Sequence, residues 1–335
     1  MPREPGWWYR EPGLTSRLLG PVAGVYGAVA ARRVNPGGQY RAGLPVICVG
    51  NFTAGGSGKT PFSAMLVQIL MARGERPVVL TRGYGGRTRG PHWVDDERNT
   101  AADVGDEPLL LAKLVPVMVA RDRRAGAQAI EASGKATVIV MDDGLQNSTL
   151  VKDLSIAIVD GVRGVGNGCV IPAGPLRLPL KVQGALVQAV VFNGLAKSGL
   201  GRALALDCSA PQLTARLEAA CDVSWLKGQR VVAFAGIGNP VRFFDMLAKF
   251  GAVVVERAVF GDHENFRDAD ADRLLALAAR HNARLITTSK DHVRLQGRAK
   301  LEALAAATST LPVAMTVAIE DRDVLTRMLD RVLMR

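Results

Sequence analysis

The amino-acid sequence predicts an α/β fold. It consists of a mainly parallel β-sheet flanked by helices, a second, smaller α/β domain and an N-terminal helix. Short apolar runs typical of buried strands alternate with amphipathic stretches of helical period, in two successive series. In addition, an apolar run, a glycine-rich turn and a helical pattern follow one another directly in VICVGNFTAGGSGKTP, residues 46–61. In such folds we expect ligands at the carboxyl ends of the strands.

Size and charge narrow the possible partners. The chain has 335 residues, which favours two domains, and a net charge of +11, which favours an anionic partner such as a nucleotide, a phospholipid surface or a phosphorylated substrate. Lys and Arg form no run of five or more, which disfavours nucleic acid. The chain contains no CxxC motif, so we expect reduced, buried thiols in a cytoplasmic protein. The cysteines are Cys48, Cys169, Cys208 and Cys221.

The N-terminal region, residues 1–35, contains a predicted helix with one apolar face. Only 14 uncharged residues separate Arg17 from Arg32, too few to span a bilayer. Trp7 and Trp8 precede the helix and basic residues follow it, as is typical of helices at a membrane interface. An equally good alternative is a helix packed on the protein's own core. The apolar face consists of Leu14, Leu18, Val22, Val25 and Val29.

The first α/β series predicts a domain over residues 36–215. Its predicted strands are Val46–Val49, Pro77–Thr81, Val115–Val119, Thr137–Asp142, Ser155–Asp160 and Ala189–Phe192. Its predicted helices are Pro61–Arg73, Pro108–Lys113 and Arg124–Ser133.

The second series predicts a smaller domain over residues 216–335, after a hinge near 208–228 where the strand rhythm weakens. Its predicted strands are Arg230–Ala235, Val253–Ala258, Arg284–Thr288 and Val313–Ile319. Its predicted helices are Pro240–Phe250 and Ala269–His281.

The glycine-rich turn between the first strand and helix has the context of a phosphate-binding loop, or P-loop. Backbone N–H groups and the helix N-terminus bind phosphate oxygens, a lysine adds charge and a hydroxyl can hold Mg²⁺. Thr53 stands where the general pattern has its first glycine, and a plain glycine-rich turn is the alternative. The residues expected to surround the phosphates are Thr53, Ala54, Gly55, Gly56, Ser57, Gly58, Lys59 and Thr60.

Two pairs of adjacent carboxylates lie next to further predicted elements. Asp142 and Asp143 end a β-branched run, which indicates a Mg²⁺ site beside a phosphate loop, although an Asp capping a turn is a common alternative. Asp106 and Glu107 precede a predicted helix. The ordinary interpretation there is an N-cap, and a base for a substrate hydroxyl is the alternative.

Other candidate residues lie in loops. Arg123 and Arg177 follow strands or a rigid loop and are suited to a phosphoryl clamp, or else are solvated surface charges. His263 lies next to Asp262 in the second domain, and across a domain cleft it could face the phosphate loop. The turn TTSKD, residues 287–291, is predicted to be a polar turn.

With these motifs in order, the chain resembles the tetraacyldisaccharide 4'-kinase family of lipid A biosynthesis over nearly its whole length. The motifs are PGLTSRLLGPVAGVYGAV, VGNFTAGGSGKTP, TRGYGG, GDEP, a VxVxxxR pattern ending at Arg123, DDGLQ, DGVRGVGNG, PAGPLR, FAGIGNPVRFF, FGDHENF and TTSKD. The family's loop also lacks the glycine that Thr53 replaces.

The resemblance implies a kinase that uses ATP and Mg²⁺ at the cytoplasmic face of the bacterial inner membrane. Its acceptor is the 4'-hydroxyl of an acylated glucosamine disaccharide 1-phosphate. By motif, Asp106 is expected to be the catalytic base and His263 its partner. Lys59, Arg123 and Arg177 are expected to handle phosphates. The residues expected to organise Mg²⁺ and the site are Thr60, Glu107, Asp142, Asp143 and Gln146.

Two residues depart from the family's pattern, and a second class of protein is an alternative to the kinase. Asn147 stands where the family usually has histidine, and Leu178 where glutamate is common. The rival is a P-loop switch or partitioning ATPase that acts on a protein or nucleic acid. Such a protein would carry a nucleobase signature such as NKxD, which this sequence lacks. Acyl-chain preference and oligomeric state are not predicted.

Overall fold

The computed structural model describes residues 4–34, 37–195 and 208–334. Its helices are α1 (Leu14–Arg33), α2 (Lys59–Ala72), α3 (Ala101–Val104), α4 (Asp106–Ala112), α5 (Arg123–Ser133), α6 (Leu180–Gly184), α7 (Pro240–Lys249), α8 (Asp268–His281), α9 (Ser289–His292), α10 (Ala299–Ala307) and α11 (Ile319–Leu333), with short 3₁₀ helices at Gly6–Tyr9 and Ser224–Leu226.

The strands form two sheets, which confirms the predicted mixed α/β fold. The strands are β1 (Val46–Gly50), β2 (Pro77–Thr81), β3 (His92–Trp93), β4 (Val117–Val119), β5 (Val138–Asp142), β6 (Leu154–Asp160), β7 (Ala189–Asn193), β8 (Gln212–Ala219), β9 (Arg230–Ala235), β10 (Val253–Val259), β11 (Arg284–Thr288), β12 (Thr308–Leu311) and β13 (Val313–Val317).

The larger sheet has the order β13-β8-β7-β6-β1-β5-β2-β4-β3. Its central strands are parallel, and β1 lies between β5 and β6. Antiparallel pairs occur at its two edges, β8 with β13 and β3 with β4. Because β1, β5 and β6 run in the same direction, the segments that follow them meet at one edge of the sheet.

Helices cover both faces of this sheet. On one face α2 buries Phe62, Leu66 and Leu70 together with Leu325 and Leu329 of α11. On the other face α5 packs through Ala127 and Ile130. The central strands are therefore buried on both sides, which explains their near-continuous apolar sequences.

The smaller sheet has the order β10-β9-β11-β12 and is parallel throughout. Helix α7 packs on one face through Phe243, Phe244 and Leu247. Helices α8 and α10 pack on the other through Leu274 and Leu304.

The placement of the last strand differs from the sequence-based expectation. The predicted strand at 313–319 was grouped with the second series, but β13 pairs with β8 in the larger sheet, and α11 packs on that sheet's core. Strand β8 was missed because its sequence, QLTARLEA, alternates apolar and polar residues and carries charges. The domain boundary near residue 216 stays a prediction.

Helix α1 contacts the rest of the protein through its small residues. Ser16, Ala23 and Gly27 are buried, and the side chain of Asn167 donates to Ser16 Oγ at 3.0 Å. The predicted apolar face is exposed: Leu18 and Val25 are 71% and 69% accessible. In the described part of the chain, no helix combines the length and apolarity that crossing a bilayer requires.

The four cysteines are free, as expected. Cys48 and Cys208 are buried, and burial raises the pKa of the Cys48 thiol to about 12. Burial was wrongly expected for Cys221, which is exposed, and Cys169 is only partly covered.

Candidate active site

The phosphate loop connects β1 to α2, as predicted. Gly58 precedes α2 with a φ of +99°, and a Cβ at this position would collide with the side-chain amide of Asn193. Glycine is therefore required there. Lys59 begins the helix and is nearly buried, with Nζ 3.7 Å from Asp143 Oδ1.

The loop is held by hydrogen bonds from its surroundings. Arg177 Nε donates to Thr53 O at 3.2 Å, and Asn193 Nδ2 donates to Ser57 O at 2.9 Å. The N–H of Ala54 donates to Pro175 O at 2.8 Å, so it is not free for a phosphate. The phosphate contacts predicted for the loop from Thr53 to Thr60 stay a prediction.

Two adjacent aspartates at the end of β5 have opposite environments. Asp142 is fully buried and accepts a hydrogen bond from Ser63 Oγ at 2.7 Å. Burial, together with the charge of Glu107, raises the pKa of Asp142 to about 7. Burial acts in the same direction on Asp143, but the cations of Lys59 and Arg177 outweigh it and hold the pKa of Asp143 well below its ordinary value.

Arg177 and Gln146 organise the segment that follows Asp143. The Arg177 guanidinium forms a bidentate pair with Asp143, at 2.9 and 3.2 Å. Gln146 accepts from Arg177 at 3.3 Å and donates to Asn51 O at 2.8 Å. Arg177 therefore links the PAGPLR loop to the phosphate loop and to the paired aspartates.

Asp106 and His263 meet across the two sheets. Asp106 begins α4 beside the larger sheet and is 2% exposed, and His263 lies in the loop after β10 with a φ of +57°. His263 Nδ1 is 3.0 Å from Asp106 Oδ2. Burial raises the pKa of Asp106, but Lys290, His263 and Arg294 outweigh it, so the pKa lies below its ordinary value and the carboxylate is ionised.

Lys290 and Arg294 join this pair, and neither was predicted from the sequence to lie in the site. Lys290 Nζ is 3.1 Å from Glu107 Oε1 and 3.0 Å from His263 Nε2. Arg294 Nε is 3.7 Å from Asp106 Oδ2. The available signal was the TTSKD motif, which was interpreted as a polar turn. Its lysine points into the site instead.

The N-terminal segment also reaches the phosphate loop, which the sequence did not indicate. The Glu4 carboxylate occupies the space that a Cβ on Gly55 would need, and it accepts from Tyr9 at 2.7 Å and Arg163 at 3.1 Å. Arg163 also donates to Gly238 O at 3.1 Å. A Cβ on Gly238 would lie 2.8 Å from Gly56 N, so the FAGIGNP loop of the smaller sheet contacts the phosphate loop directly.

Three further positions singled out in the sequence are Arg123, Asn147 and Leu178. Arg123 is buried at the start of α5 and donates to Ala120 O at 2.6 Å, and burial lowers its pKa to about 10. Among the described residues its Nε has no hydrogen-bond partner. The phosphate role of Arg123 stays a prediction. Asn147 accepts from Thr149 in a surface turn. Leu178 is buried, and its backbone carbonyl accepts from Gln183 Nε2 at 2.8 Å.

The oxygen atoms of and around Asp142 are ligands that suit a hard divalent cation. In the described part of the chain, Asp142 Oδ2 is buried without a hydrogen-bond partner, as is Ser57 Oγ in the phosphate loop. Within residues 4–34, 37–195 and 208–334, no group of three or more His, Cys, Asp or Glu side chains has the spacing of a protein-only metal site. Mg²⁺ in phosphate sites commonly takes one or two carboxylates and completes its shell with water and phosphate oxygens, so these residues fit it.

The fold and this site define a P-loop nucleotide-binding protein of the α/β class. A carboxylate–histidine pair beside the loop adds a group suited to proton transfer. The chain belongs to the tetraacyldisaccharide-1-P 4'-kinase family, whose model matches residues 15–334. It is therefore an enzyme, a kinase.

Individual relatives agree along nearly the whole chain. A tetraacyldisaccharide 4'-kinase of Rhodopseudomonas palustris is 47% identical over 95% of this chain and 93% of its own length. The enzyme of Methylorubrum extorquens is 49% identical over 96% of each chain. The structure of LpxK from Aquifex aeolicus in complex with ATP aligns with a TM-score of 0.74 and 26% identity, covering 96% of this chain and all of that one.

Proposed function

We propose that this kinase transfers the γ-phosphate of ATP to the 4'-hydroxyl of an acylated glucosamine disaccharide 1-phosphate at the cytoplasmic face of the inner membrane. Family membership supports the reaction class. The observation that carries the proposed mechanism is the 3.0 Å contact between Asp106 and His263. Its position near the phosphate loop is supported by Gly238, where a Cβ would lie 2.8 Å from Gly56 N and 3.5 Å from Asp262 Oδ2.

The donor half of the site is the loop Gly55–Thr60. Its backbone N–H groups and the N-terminus of α2 face the phosphates, and Lys59 supplies a positive charge. The ATP bound in the Aquifex aeolicus relative supports ATP as the donor. Asp143 pairs with both Lys59 and Arg177 and so holds these two cations close to the loop.

Mg²⁺ is the metal that this donor set suits. Asp142, Thr60 and Glu107 are the residues proposed to hold it, directly or through water. When bound, it neutralises charge on the β- and γ-phosphates.

The acceptor half of the site is Asp106 with His263. Asp106 receives the proton of the sugar hydroxyl as that oxygen attacks the γ-phosphorus in line. The leaving ADP takes the bond electrons, and Arg177 and Lys59 balance the charge. Positioning supplies much of the rate gain, because phosphoryl transfer offers little covalent chemistry to the protein. Since the two residues come from different sheets, approach of the sheets completes the site.

The lipid acceptor is consistent with the surface around α1. A groove of about 230 Å³ lies between α1 and the PAGPLR loop, and its walls include Gly24, Gly27, Val170 and Pro179. The exposed face of α1 continues from it. We propose that this face enters the membrane interface and that the loop carrying Arg177 lies directly beneath it.

The decisive experiment follows the γ-phosphate. Purified protein is incubated with γ-labelled ATP, Mg²⁺ and the acylated disaccharide 1-phosphate in mixed micelles, and the lipid product is separated. Label on the lipid, attached at the 4'-oxygen, is the expected result. Hydrolysis of ATP without a labelled lipid, stimulated instead by DNA or a protein partner, would reject the proposal in favour of the switch ATPase class.

A further inference from the structure

Lys290 lies at the junction of the two sheets, buried among carboxylates and one histidine. It follows β11 in the short helix α9, and its side chain is 19% exposed. Its ammonium lies 3.0 Å from His263 Nε2, 3.1 Å from Glu107 Oε1 and 3.7 Å from Asp262 Oδ1. It belongs to the smaller sheet but contacts Glu107 of the larger one.

In the contact between Lys290 and His263, chemistry fixes which atom donates and which accepts. An ammonium has three donors and no acceptor, so His263 Nε2 can only accept from Lys290. A neutral imidazole that accepts at Nε2 carries its proton on Nδ1. His263 Nδ1 is the atom that lies 3.0 Å from Asp106 Oδ2. Within the part of the chain that the structure describes, this oxygen has no partner in linear hydrogen-bond geometry. A proton on Nδ1 therefore faces the carboxylate across a short polar contact.

The opposite tautomer would be unfavourable for Asp106. It would bring the Nδ1 lone pair against a buried carboxylate oxygen. Among the described residues, the cation that pairs with this oxygen is Arg294, whose Nε is 3.7 Å away. Asp106 Oδ1 already accepts from the backbone N–H of Glu107 at 2.9 Å.

We propose that Lys290 is a positioning residue for phosphoryl transfer: it fixes His263 as the Nδ1–H tautomer and so holds that N–H against Asp106. This role rests on the proposed function of Asp106 as the base. A lysine side chain is an ammonium at neutral pH, and Glu107 Oε1 at 3.1 Å and Asp262 Oδ1 at 3.7 Å lie beside this one. Lys290 acts through His263 and does not need to touch a substrate.

Two substitutions separate the donor from the rest of the side chain. Lys290→Met keeps an unbranched side chain of similar length and removes every donor, whereas Lys290→Gln keeps an N–H donor without the charge. We expect kcat to fall at least tenfold in Lys290→Met, with the KM for ATP little changed, because Lys290 has no contact with the phosphate loop. Lys290→Gln should recover part of the loss. Equal losses in both variants would overturn the proposal.

The tautomer itself is measurable by ¹⁵N NMR of the histidine ring, and this readout does not depend on activity. Long-range ¹H–¹⁵N spectra distinguish Nδ1–H from Nε2–H imidazoles, and His263→Asn assigns the signal. The wild type should show Nδ1–H, Lys290→Gln the same, and Lys290→Met a shift toward Nε2–H. An Nε2–H signal in the wild type, or an unchanged Nδ1–H signal in Lys290→Met, would overturn the inference.

A wrong assignment of Asp106 as the base would give a different result from a wrong role for Lys290. If Asp106→Asn retained normal turnover while the NMR tautomers behaved as expected, the assignment of Asp106 would be wrong and the Lys290–His263 contact would stand. Thermal unfolding and ATP binding of each variant identify any loss that is due to misfolding.

Discussion

Asp106 carries the largest expected catalytic effect of any single residue in the site. Asp106→Asn keeps the shape of the side chain and the acceptor for the Glu107 N–H, but removes the negative charge that receives the proton. General-base catalysis contributes about 10²- to 10⁴-fold, so kcat should fall by that range. ATP binding should be retained, because the phosphate loop lies on β1 and α2. Single-turnover phosphoryl transfer and ATP titration by calorimetry measure the two effects.

Asp103→Asn is the matched control for this measurement. Asp103 lies three residues earlier and caps α3 by accepting from Thr100 at 2.8 Å, outside the site. It should lower stability without a comparable loss in kcat. Near-normal turnover in Asp106→Asn would show that another group accepts the proton.

The two adjacent aspartates should affect stability with opposite dependence on pH. Asp142 has a folded-state pKa of about 7, above the value of about 3.9 in an unfolded chain. Between these values the folded protein holds a proton that the unfolded chain has lost, so this group's contribution to stability falls as pH rises from 4 to 7. Asp142→Asn removes this dependence. Each pKa unit corresponds to about 1.4 kcal/mol, so the variant should gain stability relative to wild type as pH increases. Urea unfolding in EDTA at pH 4 to 8 measures it.

Asp143→Asn serves as the comparison of opposite sign. Lys59 and Arg177 outweigh burial and lower the pKa of Asp143, so its ionised form stabilises the folded state above the unfolded pKa. That contribution disappears as the pH falls through the folded pKa. The variant should therefore be less stable than wild type at pH 7 and approach it in acid. A parallel pH response of both variants would contradict the assigned environments.

At the scale of elements, several predicted units coincide with the structure because local sequence determines them. The predicted bounds of β2, β9 and β11 match the observed ones. Each strand contains a short apolar run; β2 and β9 end in a loop, and β11 ends where the helix Ser289–His292 begins. The GDEP segment illustrates a limit of the pattern. It begins a helix, but Gly105 is the N-cap and no side chain caps the helix, so the N-cap role expected for Asp106 was wrong. Asp106 contacts His263 of the other sheet instead, and a local pattern does not encode that contact.

The proposed membrane contact of helix α1 can be tested on its exposed face alone. Leu18→Ser with Val25→Ser removes two exposed apolar side chains and leaves the buried Ser16, Ala23 and Gly27 contacts intact. Burying a Leu or Val side chain contributes about 1.5–3 kcal/mol, so sedimentation with phospholipid vesicles should weaken at least tenfold. The KM for the lipid acceptor should rise while ATP binding is unchanged. Truncation of residues 1–33 is a less specific test, because it also removes Glu4 from the phosphate loop.

The matched control carries apolar-to-serine changes elsewhere on the surface. Val241 and Ile319 are 59% and 76% exposed and lie outside α1. Val241→Ser with Ile319→Ser should leave vesicle binding unchanged. Equal vesicle binding of the α1 variant and the wild type would exclude the interface role and favour a purely structural helix.

At the scale of the whole molecule, the sequence indicated the class of site but not how it is assembled. Phosphate loop, paired aspartates and catalytic candidates are each local motifs, and the order of those motifs carried the family resemblance. The contacts between Lys290 and Glu107 and between Arg163 and Gly238 join residues 183 and 75 positions apart. Such pairings arise from packing of the two sheets, and no local pattern encodes them. The return of β13 to the larger sheet was missed for the same reason, since an apolar run does not specify its partner strand.

A double-mutant cycle tests whether the two sheets act as one catalytic unit. Asp106→Asn and His263→Asn each remove one member of the contact between them, so their effects on transition-state free energy should not add. The double variant should lose little more activity than the worse single variant, with a coupling energy of about 0.5–3 kcal/mol. Single-turnover rates at saturating ATP and lipid provide the four corners of the cycle. His263→Asn combined with Asp330→Asn is the control, because Asp330 pairs with Arg73 on the surface, and this cycle should be additive within about 0.5 kcal/mol. Additive losses in the Asp106–His263 cycle would mean that the histidine acts on another group, and closure of the sheets would then have a separate role from activation of the base.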